Sequence, residues 1–201
     1  MCEGQTEQAF VREVLGPYAS TRGVFLNAPL LGEVGHKGGF VEWKRVQGDL
    51  GKLLRQRPNT RVTTLIDLYG IGGTLIALAG GSFPSASARA DAIQEAVAEA
   101  FDRTPRLIPY VQVHEFETLL FADLKAFEEG TGHEGAVEAL AVPGVAPEDI
   151  NGKWPPSKRI LDRFPAYDKV NDGLLAAQEI GVPTMRAAWP RFDGWLAKLG
   201  L

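Results

Sequence analysis

The chain has 201 residues, 45% hydrophobic and 23% charged, which is enough apolar material for a packed core and argues against wholesale disorder. Its formal net charge of -4 argues against a nucleic-acid binder that works through its whole surface. One cysteine, Cys2, excludes an intrachain disulfide, and one Cys with three His argues against a structural zinc site. No apolar run is long enough to cross a bilayer, and the N-terminal residues lack the blocks of a signal peptide, so the expected location is the cytoplasm, off the membrane.

The charge is uneven. Residues 1–150 carry 13 Lys+Arg against 20 Asp+Glu, a net of -7, and residues 151–201 carry 8 against 5, a net of +3. Such a split suits either a metal in one part and a phosphate in the other, or two solvated surfaces.

In chain order, Thr6 to Leu15 reads as a helix, with Thr6 as N-cap and Phe10, Val11, Val14 and Leu15 at helical spacing. Val24-Phe25-Leu26 reads as a strand, and residues 32–39, with four glycines, as a loop. Val46, Leu50, Leu53 and Leu54 mark an amphipathic helix closed by Pro58. Residues 61–67 form a β-branched run that ends in an acid, Asp67. A glycine-rich stretch follows to Gly81, then a helix over 87–101 with Ile93, Val97 and Phe101 on one face. Residues 107–113 make another strand, with Pro109 at an edge or bulge. From 122 onward the chain reads as short helices broken by Gly and Pro. Strands alternating with helices imply an α/β protein with a mostly parallel sheet flanked by helices. The expected division is a core at 1–125 and a helical C-terminal section at 126–201 packed on it.

Four stretches carry chemistry. Glu3 sits in a turn that opens a helix, where a carboxylate holds a metal or shuttles a proton; the plainer reading of this stretch, preferred for Glu7, is that its acid complements the helix dipole. Asp67 lies at the C-terminal end of a strand, the edge where open α/β sheets bind ligands, and its alternatives are a metal ligand or a cap of the next turn. His114-Glu115-Phe116-Glu117 follows a strand; one of the two glutamates joins Asp67, or both acids serve a helix start. Pro155-Pro156-Ser157-Lys158-Arg159 opens a helix with Ser157 as its cap, and Lys158, Arg159 and Lys169 either converge on a phosphate or are solvated. The glycine runs match no nucleotide-binding fingerprint.

The blocks EGQTEQ (3–8), HKGGFVEWKRV (36–46), TTLIDLYG (63–70), IPYVQVHEFETLLF (108–121), PEDIN (147–151), PSKRI (156–160) and IGVPTMRAAWPRFDGWL (180–196) occur in that order. Together they resemble an uncharacterised bacterial Toprim-like family, domain of unknown function 4276, over nearly the whole chain. The resemblance implies a Toprim-like, Rossmann-like fold that binds Mg²⁺ or Mn²⁺. It sets Glu3 at the first acidic position, Asp67 at the second, and Glu115 or Glu117 at the third. It also implies an ATPase partner and a setting in phage defence. Tyr69 stands where the Asp-x-Asp motif has its second acid, and only Met1 and Cys2 precede Glu3 where the family has an apolar first strand. The start is therefore expected to lie upstream, or the first strand to be truncated.

The expected activity is a Mg²⁺-dependent nuclease or phosphodiesterase acting on DNA or RNA. Glu3, Asp67 and a third acid, Glu115 or Glu117, are its metal ligands, Glu3 its general acid/base, and Lys158 and Arg159 its phosphate grip, with Glu7 and His114 nearby in a secondary role. The alternative is a non-catalytic Toprim-like partner of an ATPase.

Overall fold

The structure, a computed structural model, describes residues 1–32, 41–145, 149–150 and 154–201. In chain order its helices are α1 (Gln5–Phe10), α2 (Gly16–Ser20), α3 (Trp43–Gln56), α4 (Gly73–Leu78), α5 (Ala86–Glu99), α6 (Leu124–Thr131), α7 (Ala136–Leu140), α8 (Pro156–Arg163), α9 (Asn171–Ala188) and α10 (Pro190–Leu199). Its strands are β1 (Val62–Thr63), β2 (Ile66–Asp67), β3 (Leu107–Ile108) and β4 (Val111–Gln112). The chain divides into two compact units, Met1–Gly4 with Ala28–Val113, and Gln5–Asn27 with His114–Leu201.

The first unit is built on parallel pairing. β1 pairs with β3 in the register Val62–Leu107, and β2 with β4 in the register Ile66–Val111. Between these pairs Pro109, with no N–H, cannot continue the ladder. Thr64 replaces the missing bonds with its side chain: its hydroxyl donates to the Tyr110 carbonyl at 2.7 Å and accepts from the Tyr110 N–H at 2.8 Å. The expected strands 61–67 and 107–113 are thus present, each broken once in the middle.

The N-terminal residues lie between two parallel neighbours, Cys2 bridging to Leu30 on one side and to Leu65 on the other. The Met1 ammonium donates to the Thr63 carbonyl at 2.7 Å, and burial lowers its pKa. Leu65 N–H donates to the Met1 carbonyl at 2.8 Å, and Glu3 N–H to the Leu65 carbonyl at 3.1 Å. Met1–Glu3 thus runs parallel to residues 63–65 through these backbone bonds. The core beneath holds Val46 and Leu50 of α3, Ile66, Leu75 of α4, Ile93 and Val97 of α5, and Val111.

The second unit is helical. α1 runs through a single π turn, Val11–Leu15, into α2, because Gly16 N–H reaches back five residues to the Val11 carbonyl. Phe10, Phe116 and Phe192 are fully buried together, with Phe10 ring centroids 5.2 Å from Phe116 and 6.3 Å from Phe192. α9 breaks its helical geometry at Gly181 (φ 74°, ψ 150°), two residues before Pro183, whose ring disfavours an unbroken helix.

Two local expectations are corrected. Val24–Leu26 is not a strand: Gly23 (φ 75°) ends the helical run, Phe25 is 85% exposed, and the pairing edge falls later, at Leu30. Thr6 is inside the first turn of α1, one residue past its start, so it does not cap that helix. Most of the 32–39 loop, and residues 147–148 and 151 of PEDIN, lie outside the described residues. Among the described residues no helix is long and apolar enough to cross a membrane.

Candidate functional site

In the first unit the parallel bridge between Cys2 and Leu65 sets the N-terminal segment beside the end of β2. Glu3 closes the Met1–Glu3 segment and Asp67 closes β2. The Glu3 carboxylate oxygen Oε2 accepts the Asp67 backbone N–H at 2.9 Å, joining residues 64 apart in sequence. The chain then turns through a single 3-10 turn, Leu68–Gly70, which brings Gly70 under the same carboxylate. A Cβ on Gly70 would stand 2.0 Å from Glu3 Oε1, so only glycine leaves the carboxylate its place. Asp67 does not cap that turn with its side chain. The same segment supports a further acid. Gly72 backs Glu42, whose Oε2 accepts from the Thr74 hydroxyl, while Thr74 Oγ1 accepts Trp43 N–H at 2.9 Å.

Glu3 and Asp67 fit a magnesium ion by donor chemistry. Mg²⁺ takes hard oxygen ligands and commonly uses one or two carboxylates, completing its shell with water and substrate phosphate. Within either unit, among the described residues, no three His, Cys, Asp or Glu side chains gather as a ready-made metal site.

In the second unit Glu115 and Glu117 are both buried. Glu115 begins the 3-10 helix Phe116–Ala122 and forms a reciprocal box with Thr118. Its carboxylate also reaches α8: Oε1 accepts Ser157 N–H at 2.6 Å and Oε2 accepts the Ser157 hydroxyl at 2.8 Å. The anion at the start of α8 is therefore the protein's own carboxylate. Ser157 serves as a donor at the second helical position, and Pro155 is the N-cap.

Lys169 lies against both glutamates, its Nζ 3.7 Å from Glu115 Oε2 and 3.2 Å from Glu117 Oε1. Glu117 is only 2% exposed, and burial, opposed by Lys169 and reinforced by the Glu115 charge, pushes its pKa up to about 7. Tyr167, 5% exposed, is pushed well above the usual phenol range by burial and by Glu117. An ammonium already holds the place of a cation here, so a divalent ion fits these two carboxylates only if Lys169 moves away. His114 is buried with a positive φ of 67° and turns the chain from β4 into the 3-10 helix.

The other expected residues fall as follows. Glu7 is buried in the first turn of α1, where its charge complements the helix N-terminus. Lys158 is exposed on α8, and the Arg159 guanidinium donates to the Ile150 carbonyl at 3.2 Å. Glu3 and Asp67 are thus together in the first unit; Glu115, Glu117 and Lys169 are together in the second. Ser157 as a donor and Gly70 as a backing were not foreseen. In the sequence Ser157 marks a helix start without its partner, and Gly70 is a glycine three residues past a strand-end acid.

The family model for the domain of unknown function DUF4276 matches residues 2–200. The chain belongs to the DUF4276 family. No curated protein and no solved structure matches it. The family match spans both units of this DUF4276 chain, and so takes in the Glu3–Asp67 pair and the Glu115–Glu117–Lys169 cluster alike.

Proposed function

We propose that this DUF4276 chain is a cytoplasmic, Toprim-like, Mg²⁺-dependent phosphodiesterase acting on nucleic acid. The observation that carries the reading is the Glu3–Asp67 pair: Asp67 ends a parallel strand, and Glu3, one residue past the parallel bridge that Cys2 makes to Leu65, is fixed by the Asp67 backbone N–H at 2.9 Å. Strand ends of this kind are where open parallel sheets bind their ligands. A carboxylate held by an amide and seated on a glycine is positioned before any ligand arrives.

Glu3 and Asp67 are the residues that hold the ion. When bound, Mg²⁺ stabilises the charge that develops on the phosphoryl oxygens. Glu3 is the proton carrier, receiving a proton from the attacking water at its carboxylate. Asp67 keeps Glu3 oriented through its backbone N–H, and its side chain would supply the second carboxylate ligand. The test is cleavage of labelled DNA and RNA oligonucleotides in Mg²⁺ and Mn²⁺, with and without chelator. Asp67→Asn removes cleavage while the fold persists; equal cleavage by variant and parent refutes the reading.

One observation favours a second reading, a non-catalytic partner of an ATPase. Both Glu115 oxygens are committed to Ser157, and Lys169 neutralises the pair, so this acidic cluster does structural work. Co-purification with an ATPase, and no cleavage by the pair in either metal, would support it.

A further inference from the structure

The α3 helix and the turn after it form a basic island in an acidic unit. Residues 43–61 carry six Lys or Arg and one acid, Asp49, whereas the rest of the first unit carries four against eight. Helical spacing sorts α3 into two faces. Val46 and Leu50 are buried in the core, while Lys44, Lys52 and Arg55 fall on the opposite face and are exposed, as is Arg57 just past the helix end. From Lys44 to Arg55 this face runs about 16 Å. Gly48 is exposed between Lys44 and Lys52, and a Cβ there would meet no described atom within 4 Å. Glycine weakens a helix interior, and here it leaves the helix backbone open to close approach. Asp49 accepts Gly32 N–H at 2.8 Å and lies 3.4 Å from the Lys52 ammonium, which keeps a side chain 64% exposed. Past the end of α5, the Phe101 ring centroid lies 6.4 Å from that of Trp43, and the α5 acids Glu95 and Glu99 both pair with Arg103. The Arg106 guanidinium donates to the carbonyls of Leu54 at 2.9 Å and Arg57 at 2.7 Å, adding its charge to the C-terminal end of α3.

The other end of α3 is tied to the segment that follows Asp67. Trp43 N–H donates to Thr74 Oγ1 at 2.9 Å, and Val41 bridges to Ile71, next to the Gly70 that seats the Glu3 carboxylate. We propose that the exposed face of α3, with Lys44, Lys52, Arg55 and Arg57, binds the sugar–phosphate backbone of a nucleic acid without regard to its sequence. This inference rests on the phosphodiesterase reading and names the surface that binds its substrate. Cations along one helix face complement a polymer that carries a negative charge at every step. A membrane surface fits less well, because an interfacial helix inserts apolar side chains and those of α3 pack in the core. The acidic remainder of the unit repels a polyanion, which confines it to this face.

The test uses the full chain carrying Asp67→Asn, so that binding is measured without cleavage. The probes are a labelled single strand and a labelled duplex, each of mixed sequence and about twenty nucleotides long, a length that spans the α3 face. Vesicles rich in phosphatidylserine are the third probe. Four phosphate contacts predict that affinity falls about 50- to 150-fold between 50 mM and 200 mM salt, at slopes of about -0.7 per contact for the single strand and -0.9 for the duplex. Adding Lys52→Gln with Arg55→Gln should weaken binding and make the slope shallower by about 1.4 on the single strand or 1.8 on the duplex. Lys125→Gln, an exposed lysine of the second unit, should change neither quantity. Whichever nucleic acid binds more tightly names the form of the substrate. Unchanged affinity and slope in the double variant overturn the inference, as does binding to the vesicles alone. If the parent chain cleaves in an Asp67-dependent way yet the double variant binds as tightly as before, this inference alone fails. If no strand binds and none is cut, the phosphodiesterase reading fails with it. A circular-dichroism melt of each variant confirms folding, which these exposed side chains should not disturb.

Discussion

The Glu115 carboxylate accepts two hydrogen bonds from a single residue, Ser157, one from its backbone N–H and one from its hydroxyl. The two residues are 42 apart, and the contact ties the start of the 3-10 helix at Phe116 to the start of α8. A buried carboxylate that fills the anion position at a helix start satisfies donors that would otherwise be left unpaired.

Glu115→Ala should therefore destabilise the second unit by about 2–4 kcal/mol, since it strands a buried N–H and hydroxyl. Glu115→Gln should cost less, because the amide oxygen can still accept one bond. Urea denaturation followed by tryptophan fluorescence measures both, and a loss below about 0.5 kcal/mol for Glu115→Ala would show that Ser157 finds other partners.

Glu117 gives a signed pH dependence. Its carboxyl titrates at 4.5 in the unfolded reference and at about 7 in the fold, where burial disfavours the charged form. Between those values the folded chain holds a proton that the unfolded chain has released. The group's contribution is complete below 4.5 and is lost as pH rises through about 7. Glu117→Gln, which cannot ionise, should gain in melting temperature relative to the parent between pH 5 and pH 8. A constant difference across that range would contradict the assignment.

Lys169 supplies the opposing charge. Lys169→Met leaves Glu115 and Glu117 facing each other without their ammonium. The variant should be less stable than the parent at pH 8 and close to it at pH 5, where Glu117 carries its proton. Thermal melts at the two pH values decide this, and equal losses at both would mean that Lys169 contributes packing rather than charge.

Much of the first unit is legible in the sequence. The β-branched run at 61–67 and the apolar run at 107–113 place the strands, and the apolar spacing at 46–54 places α3. Asp67 is legible as a strand-end acid because it closes such a run. The break at Thr64 is not, since it needs Pro109 and Tyr110 on the partner strand before the threonine hydroxyl has anything to replace. Val24–Leu26 misleads because apolar composition says nothing about which residues find a partner strand. At the start of α8 the anion-binding chemistry is legible but the anion is not. Ser157 shows a helix start, while the carboxylate that fills it comes from residue 115. Lys169 likewise looks like a free cation until Glu115 and Glu117 are placed beside it.

The Thr64 hydroxyl can be tested directly. Thr64→Val keeps the shape and removes both bonds to Tyr110, leaving a buried N–H and carbonyl without their side-chain partner. A loss of about 1–3 kcal/mol is expected in urea denaturation. An unchanged midpoint would show that the two strands close up by themselves.

The most direct measurement of the central claim is Mn²⁺ binding, as a spectroscopic stand-in for Mg²⁺, titrated by electron paramagnetic resonance against the parent chain, Glu3→Gln and Asp67→Asn. The parent is expected to bind the ion, and each variant to bind it at least about 10-fold more weakly with its melting curve intact. Unchanged affinity in both variants, or no binding by the parent, would contradict the assignment of Glu3 and Asp67 as the residues that hold the metal.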